Sequence, residues 1–259
     1  MRNNSTWAPS ALSPIPWPRN AWNPGLVAVN VVAIAILAVV PGVAYIVAYE
    51  LIGRSAHAHG GNPPPFQQIV AEFVTYVPLG AYLVFVLPRI AHVTLAELGI
   101  RKPAARDLAI GAAGAVVMWL TVILASSAAE AITHHHDTES AVELLKGLKG
   151  PVQLGTFVVL ACVFAPIIEE LTFRVFVFGA LTRYVPIAAA AVISGALFGG
   201  THAIGQSASQ LVTIAVPLAL GGIVLAYVYA ITRCFWSSVV THAAFNAINT
   251  IVLILYHGK

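Results

Sequence analysis

The chain has 259 residues, 59% of them hydrophobic and only 9% charged, with mean hydropathy +0.85 and a net charge of +3. A soluble domain carries about a quarter charged residues, so a water-facing globule is excluded for want of polar surface. No basic cluster points to nucleic acid, and the apolar runs are continuous rather than alternating, which excludes a transmembrane barrel. What remains is an all-α fold, a polytopic bundle of transmembrane helices whose backbone groups are satisfied within each segment.

The first 25 residues hold Trp7, Trp17 and Trp22 among Pro and Asn, and read as an interfacial tail leading into the first span. The first apolar run is too long for a signal-peptide core, so no cleavage is expected. About seven spans follow, near 26–49, 68–90, 108–132, 151–181, 187–203, 211–231 and 235–256. The fourth is long enough to tilt or to contain two pieces, and the fifth is short. The stretch from His57 to Pro65 reads as non-helical, and Leu95 to Asp107 as a basic connector. Gly205 to Ser209 is a short polar turn, and Ile231 to Phe235 a tight turn carrying Arg233.

Between the third and fourth spans, Ser140 and Glu143 have the form of a capping box. They open a stretch, Ala141 to Lys149, with Val142, Leu145 and Leu148 at helical intervals, which predicts a small amphipathic helix at the interface. His134, His135, His136 and Asp137 form a loop cluster, read as solvated, with a weak metal site as the alternative; His57 and His59 are read the same way. Cys162 and Cys234 lie in or beside apolar segments and do not suggest a disulfide framework.

Arg2, Arg19, Arg89, Arg101, Lys102, Arg106, Arg183 and Arg233 fall on one side of these spans. Arg54, Lys146, Lys149 and Lys259 fall on the other. The bias predicts a cytoplasmic N-terminus, and a plasma membrane is the simplest setting. The chain divides into residues 1–90, the tail with two spans, and 91–259, the part that carries chemistry.

Within the run from Pro151 to Leu181 the only standing charges are Glu169, Glu170 and Arg174. Carboxylates at bilayer depth are costly and mark function by default. Glu170 and Arg174 stand four apart and share a helix face, whereas Glu169 is turned by about 100°. This divides the labour: Glu170 with Arg174 as a structural ion pair, Glu169 left for chemistry inside a polar cavity of the bundle. Phe198 and His202 form FxxxH in the fifth span, and His242 and Asn246 form HxxxN in the seventh. The imidazole and carboxamide of HxxxN can together hold an oxyanion. His202 can orient a water against Glu169 or bind a metal.

EExxxR, FxxxH and HxxxN, in this order on apolar segments, resemble the CAAX-protease and bacteriocin-processing family, also called CPBP or Abi, which includes the type II CAAX prenyl endopeptidases. The resemblance covers roughly residues 90–256 and includes the LGIRKP stretch, Leu98 to Pro103, similar to a common lead-in. It implies an intramembrane endopeptidase acting on a membrane-embedded or lipid-modified peptide or protein. Glu169 then corresponds to the catalytic glutamate, His202 to its water-orienting partner, and His242 with Asn246 to the oxyanion site. Glu170 and Arg174 match supporting positions, and Phe198 opens the FxxxH motif. The family has been described both as metal-free and as metal-dependent. The preferred expectation is no metal; the alternative is Zn2+ on Glu169, His202 and His242.

Other intramembrane proteases fit poorly. Val192 stands where a rhomboid-type GxSG needs glycine before Ser194 and Gly195, and the only aspartates, Asp107 and Asp137, lie outside the predicted spans. Two non-proteolytic readings remain: a membrane scaffold or bacteriocin-immunity protein, and a transporter using the buried charges as a pathway.

Overall fold

The computed structural model describes residues 22–54, 63–135, 140–204 and 207–257. Among these residues there are helices and turns but no strand. The helices are α1 (Pro24–Arg54), α2 (Pro65–Ala91), α3 (Ala105–Thr133), α4 (Ser140–Gly147) and α5 (Gly150–Leu181). They continue with α6 (Ile187–Thr201), α7 (Leu211–Thr232, after one lead-in turn, Ala208–Gln210) and α8 (Phe235–His257). Six of them, α1, α2, α3, α5, α7 and α8, are long and apolar enough to cross a membrane. The fifth predicted span, α6, has only 15 residues, about 22 Å of helix against about 30 Å of hydrocarbon. It ends at His202, which caps its C-terminus.

The apolar surface is turned outwards. Val32, Ile36 and Val39 on α1, Leu124 on α3 and Leu255 on α8 are all exposed, as lipid-facing positions are. Inside, α7 is the central helix, packed against α3, α6 and α8. Helices in lipid lack a hydrophobic drive to associate and rely on close packing of small residues. A Cβ placed on Gly199 of α6 would stand 2.2 Å from the Ala215 carbonyl oxygen, and one on Gly195 2.6 Å from that of Ala219. On the other side, Thr241 of α8 donates to the Gly111 carbonyl of α3 at 2.8 Å.

Four stretches of π-helix interrupt the spans: Tyr82–Val86, Leu160–Phe164, Leu171–Phe178 and Leu211–Ala215. Three of them end two residues before a proline, namely Pro88, Pro166 and Pro217. A proline has no N–H to donate and its ring crowds the carbonyl four residues back. In each case that carbonyl lies within the widened turn. The fourth stretch, in α5, contains no proline and begins directly after Glu170. The long fourth span is therefore one continuous helix, re-phased twice, rather than two pieces.

The basic connector is a clamp. Arg101 Nη1 pairs with Asp107 at 2.8 Å, and its Nη2 donates to the Thr232 carbonyl at 3.0 Å. Phe235 N donates to the Gly99 carbonyl at 2.9 Å, and the Tyr229 hydroxyl to that of Leu98 at 2.9 Å. The LGIRKP stretch is thus tied to the turn between α7 and α8. Tyr184, after α5, donates to the Trp22 carbonyl at the start of α1.

Some local expectations change. Trp22 is fully buried against Phe176, with ring centroids 5.5 Å apart, so it plugs the bundle rather than sitting in the interface. Asp107 is not in a loop but in the first turn of α3, where it accepts from Ala104 N at 2.9 Å. Pro65 opens α2 instead of closing the preceding loop, a position where its missing N–H costs nothing. The short helix α4 is present, and Leu144, Leu145 and Leu148 pack on a cluster with Ile69, Phe157 and Leu160. His134 ends α3 in the left-handed region at φ 55°. Trp7, Trp17, His57, His59, His136 and Asp137 lie outside the described residues.

The packing of α6 on α7 generates a paired prediction. Gly199→Ala drives a methyl group into the α7 backbone and should lower stability by about 1–3 kcal/mol. Gly200→Ala meets nothing within 4 Å and should be neutral or slightly stabilising. Thermal unfolding of both variants in detergent checks this; equal midpoints would contradict the close approach.

Candidate active site

The site is built on α5, with α8, α6 and α2 around it. Glu170 and Arg174 lie on one face of α5, both with fully buried side chains, with Glu170 Oε2 3.1 Å from Arg174 Nε. The guanidinium also approaches the Gly222 carbonyl of α7, Nη2 to oxygen 3.4 Å. Its Nη1 has no hydrogen-bond acceptor among the described residues. The ring of Phe198 covers the guanidinium at 4.7 Å and that of Phe173 at 5.9 Å, so aromatic faces replace water around the charge.

Glu170 does more than pair with arginine. Its other oxygen, Oε1, lies 3.0 Å from His242 Nδ1 on α8. A carboxylate oxygen accepts, so Nδ1 carries the proton and the ring is held in one orientation. Nε2 of the same ring then faces Glu169 Oε2 at 3.6 Å, too long for a direct hydrogen bond. The two adjacent glutamates approach one imidazole from opposite edges. The result is a chain of contacts running Arg174, Glu170, His242, Glu169 from the dry interior to a partly exposed carboxylate. Glu169 is its accessible end, with 15% of its side chain exposed.

The second oxygen of Glu169 is held by a residue that the motifs do not include. The Tyr76 hydroxyl, on α2, donates to Glu169 Oε1 at 3.1 Å. A tyrosine within an apolar span is ordinary in sequence, and only the packing of α2 on α5 reveals it.

Phe198 is the hinge of the aromatic part. Its ring meets Phe173 edge-to-face with centroids 5.3 Å apart, His202 at a tilt at 4.8 Å and His242 edge-to-face at 5.5 Å. His202 Nδ1 is 2.8 Å from the Phe198 carbonyl one turn back, so this nitrogen also carries its proton. Asn246 lies one turn beyond His242 and donates from Nδ2 to the Ala161 carbonyl of α5 at 2.7 Å. Glu169, Glu170, Arg174, His242 and Phe198 therefore form one contact network. His202 joins it through the Phe198 ring, and Asn246 through α5. Among the described residues, no three His, Cys, Asp or Glu side chains stand close enough to hold a metal ion.

Residues 151–248 match the family model described as type II CAAX prenyl endopeptidase Rce1-like. No curated protein and no solved structure matches the chain. The Rce1-like segment agrees with the resemblance read from the motifs and contains EExxxR, FxxxH and HxxxN in full. It points to CAAX-type intramembrane protease activity. It stops short of the LGIRKP clamp and of α2, so Tyr76 lies outside the matched residues.

The buried pair carries a stability prediction. Arg174→Ala leaves Glu170 as an uncompensated charge in a dry site and should cost about 3–5 kcal/mol. The check is the unfolding midpoint of the purified variant in detergent. An unchanged midpoint would mean that Glu170 does not depend on Arg174.

Proposed function

We propose that the protein is an intramembrane endopeptidase that hydrolyses a peptide bond of a membrane-embedded or lipid-modified substrate, with a water activated by Glu169. The observation that carries this reading is the state of Glu169. It is an accessible carboxylate at bilayer depth, fixed at one oxygen by Tyr76 and turned at the other towards His242. A purely structural carboxylate would instead be buried and paired, as Glu170 is.

In the proposed reaction, Glu169 Oε2 takes a proton from a water bound between it and His242. The oxygen attacks the scissile carbonyl, and the C–O bond forms as the carbonyl electrons move onto oxygen. Asn246, which has a second amide hydrogen to offer, stabilises that oxyanion, and His242 joins it in the imidazolium form, whose Nε2 also donates. Glu169 then passes its proton to the leaving nitrogen as the C–N bond breaks. Glu170 and Arg174 take no proton; they hold the imidazole in place, much as the acidic member of a triad orients its histidine. His202 orients the water or the substrate from the Phe198 side. For Zn2+, the side chains Glu169, His202 and His242 do not converge into a ligand set, so no step is routed through a metal.

The site lies about 10 Å along α8 from the turn that carries Arg233, seven residues at 1.5 Å each. Arg101 and Lys102 are on the same face as that turn, because the clamp ties them to it. With the N-terminus cytoplasmic, the site lies nearer the cytoplasmic surface. A lipid-modified substrate anchored in that leaflet would reach it without crossing the bilayer.

Two substitutions test the reading. In proteoliposomes, with a quenched fluorescent farnesylated peptide ending Cys-aliphatic-aliphatic-X, Glu169→Gln should reduce kcat/KM by at least about 100-fold, with the fold intact. Cleavage at the wild-type rate would remove Glu169 from the chemistry. Failure of the wild type on a panel of such peptides would favour the non-catalytic scaffold reading. Tyr76→Phe removes the hydroxyl that fixes Glu169 and should lower kcat by about tenfold with little change in KM. A change confined to KM would make Tyr76 a substrate contact instead.

A further inference from the structure

Helix α2 brings a second carboxylate to the site. Glu72 precedes Tyr76 by one turn and shares its face, and Tyr76 is the residue that touches Glu169. Glu72 stands within electrostatic range of Glu169 and of His202. No side chain among the described residues hydrogen-bonds or ion-pairs with it. Its side chain is exposed, on the wall of a groove between α1 and α2.

The groove has a defined course. A cavity of about 380 Å³ is lined by Val39, Gly42, Val43, Val47, Thr75 and Glu72. A second, also about 380 Å³, joins Glu72 to Pro63 and Gln68 at the start of α2. Among the described residues, Glu72 is the only charged one on either wall. Apart from Gln68 the walls are otherwise apolar or small, and the path leads from the start of α2 to Glu72, one turn before the Tyr76 that holds Glu169.

The charge balance says what such a path would accept. Glu72 lies about 10 Å along α2 from its start, seven residues at 1.5 Å each, where a lone carboxylate is costly. Arg174 is already bound to Glu170. Glu72 has Glu169 and the His202 imidazole within electrostatic range, and among the described residues the groove offers no lysine or arginine of its own. An apolar channel with one unpaired carboxylate is complementary to an extended peptide segment carrying one basic side chain.

We propose that the α1–α2 groove seats an extended segment of the substrate, and that Glu72 binds a lysine or arginine of that segment beside the bond to be cut. This rests on the peptidase reading above. Glu72 and Tyr76 are one turn apart, about 5.4 Å, and an extended chain advances about 3.4 Å per residue. The basic residue therefore lies within about three residues of the scissile bond.

The test uses farnesylated quenched peptides in which a single lysine is moved through three positions on each side of the cleavage site. Wild type should prefer lysine at one position by about tenfold in kcat/KM, the effect of one partly desolvated charge pair. Glu72→Gln should erase that preference, and Glu72→Lys should transfer it to peptides with glutamate at the same position. Binding is measured in parallel, by fluorescence anisotropy on the Glu169→Gln protein in nanodiscs. The same tenfold preference should appear in Kd and vanish when Glu72→Gln is added. A lysine preference that is absent, or that survives Glu72→Gln, overturns the subsite. Cleavage with no dependence on Glu72 sinks the subsite and leaves the peptidase. Binding that depends on Glu72, with no cleavage of any peptide, sinks the peptidase and leaves the subsite.

Discussion

The arrangement depends on an ion pair in a place that water does not reach. Arg174 and Glu170 are both fully buried, and desolvating two charges costs several kcal/mol per ion before any attraction is counted. Apolar side chains would fill the same space more cheaply. The pair therefore makes sense through what it supports. Glu170 meets Arg174 through one oxygen and spends the other on His242. His242 in turn presents Nε2 to Glu169. One buried cation thus determines the orientation of an imidazole on a different helix and the environment of the carboxylate next door.

The helices are shaped to allow this. Small residues let α6 approach α7 at backbone distance, which delivers Phe198 to Arg174, His202 and His242 together. Prolines force three widened turns, and the fourth begins beside Glu170 without a proline to require it. Widened turns of this kind are common at functional sites because they re-aim side chains within an otherwise regular helix. In α5 the two widened stretches flank Glu169 and Glu170. The clamp of Arg101 on the α7–α8 turn fixes the base of α8, seven residues before His242.

Much of this was legible from residue spacing, and the exceptions have physical reasons. Helical periodicity pairs Glu170 with Arg174 and separates Glu169 from both, and the structure agrees. The same periodicity says nothing about α8, so it does not show that Glu170 also holds His242. Tyr76 and Glu72 are invisible as motifs, because one tyrosine and one glutamate in a span have no spacing to betray them. The span count was difficult at α6, where apolar composition persists to the helix end while the turn at His202 arises from packing. Trp22 resembled an interfacial anchor by composition, and only the ring of Phe176 shows it to be a plug.

The central claim is that the buried ion pair exists to aim the site rather than to stabilise the bundle. It is tested most directly by replacing both partners together, Glu170→Leu with Arg174→Met, and measuring unfolding and farnesyl-peptide cleavage on the same preparation. Exchanging a buried pair for apolar residues is often neutral or stabilising, so the unfolding midpoint should stay near that of the wild type. Cleavage should fall by about 100-fold, because His242 loses the carboxylate that orients it. A double variant that is stable and cleaves at the wild-type rate would contradict the account.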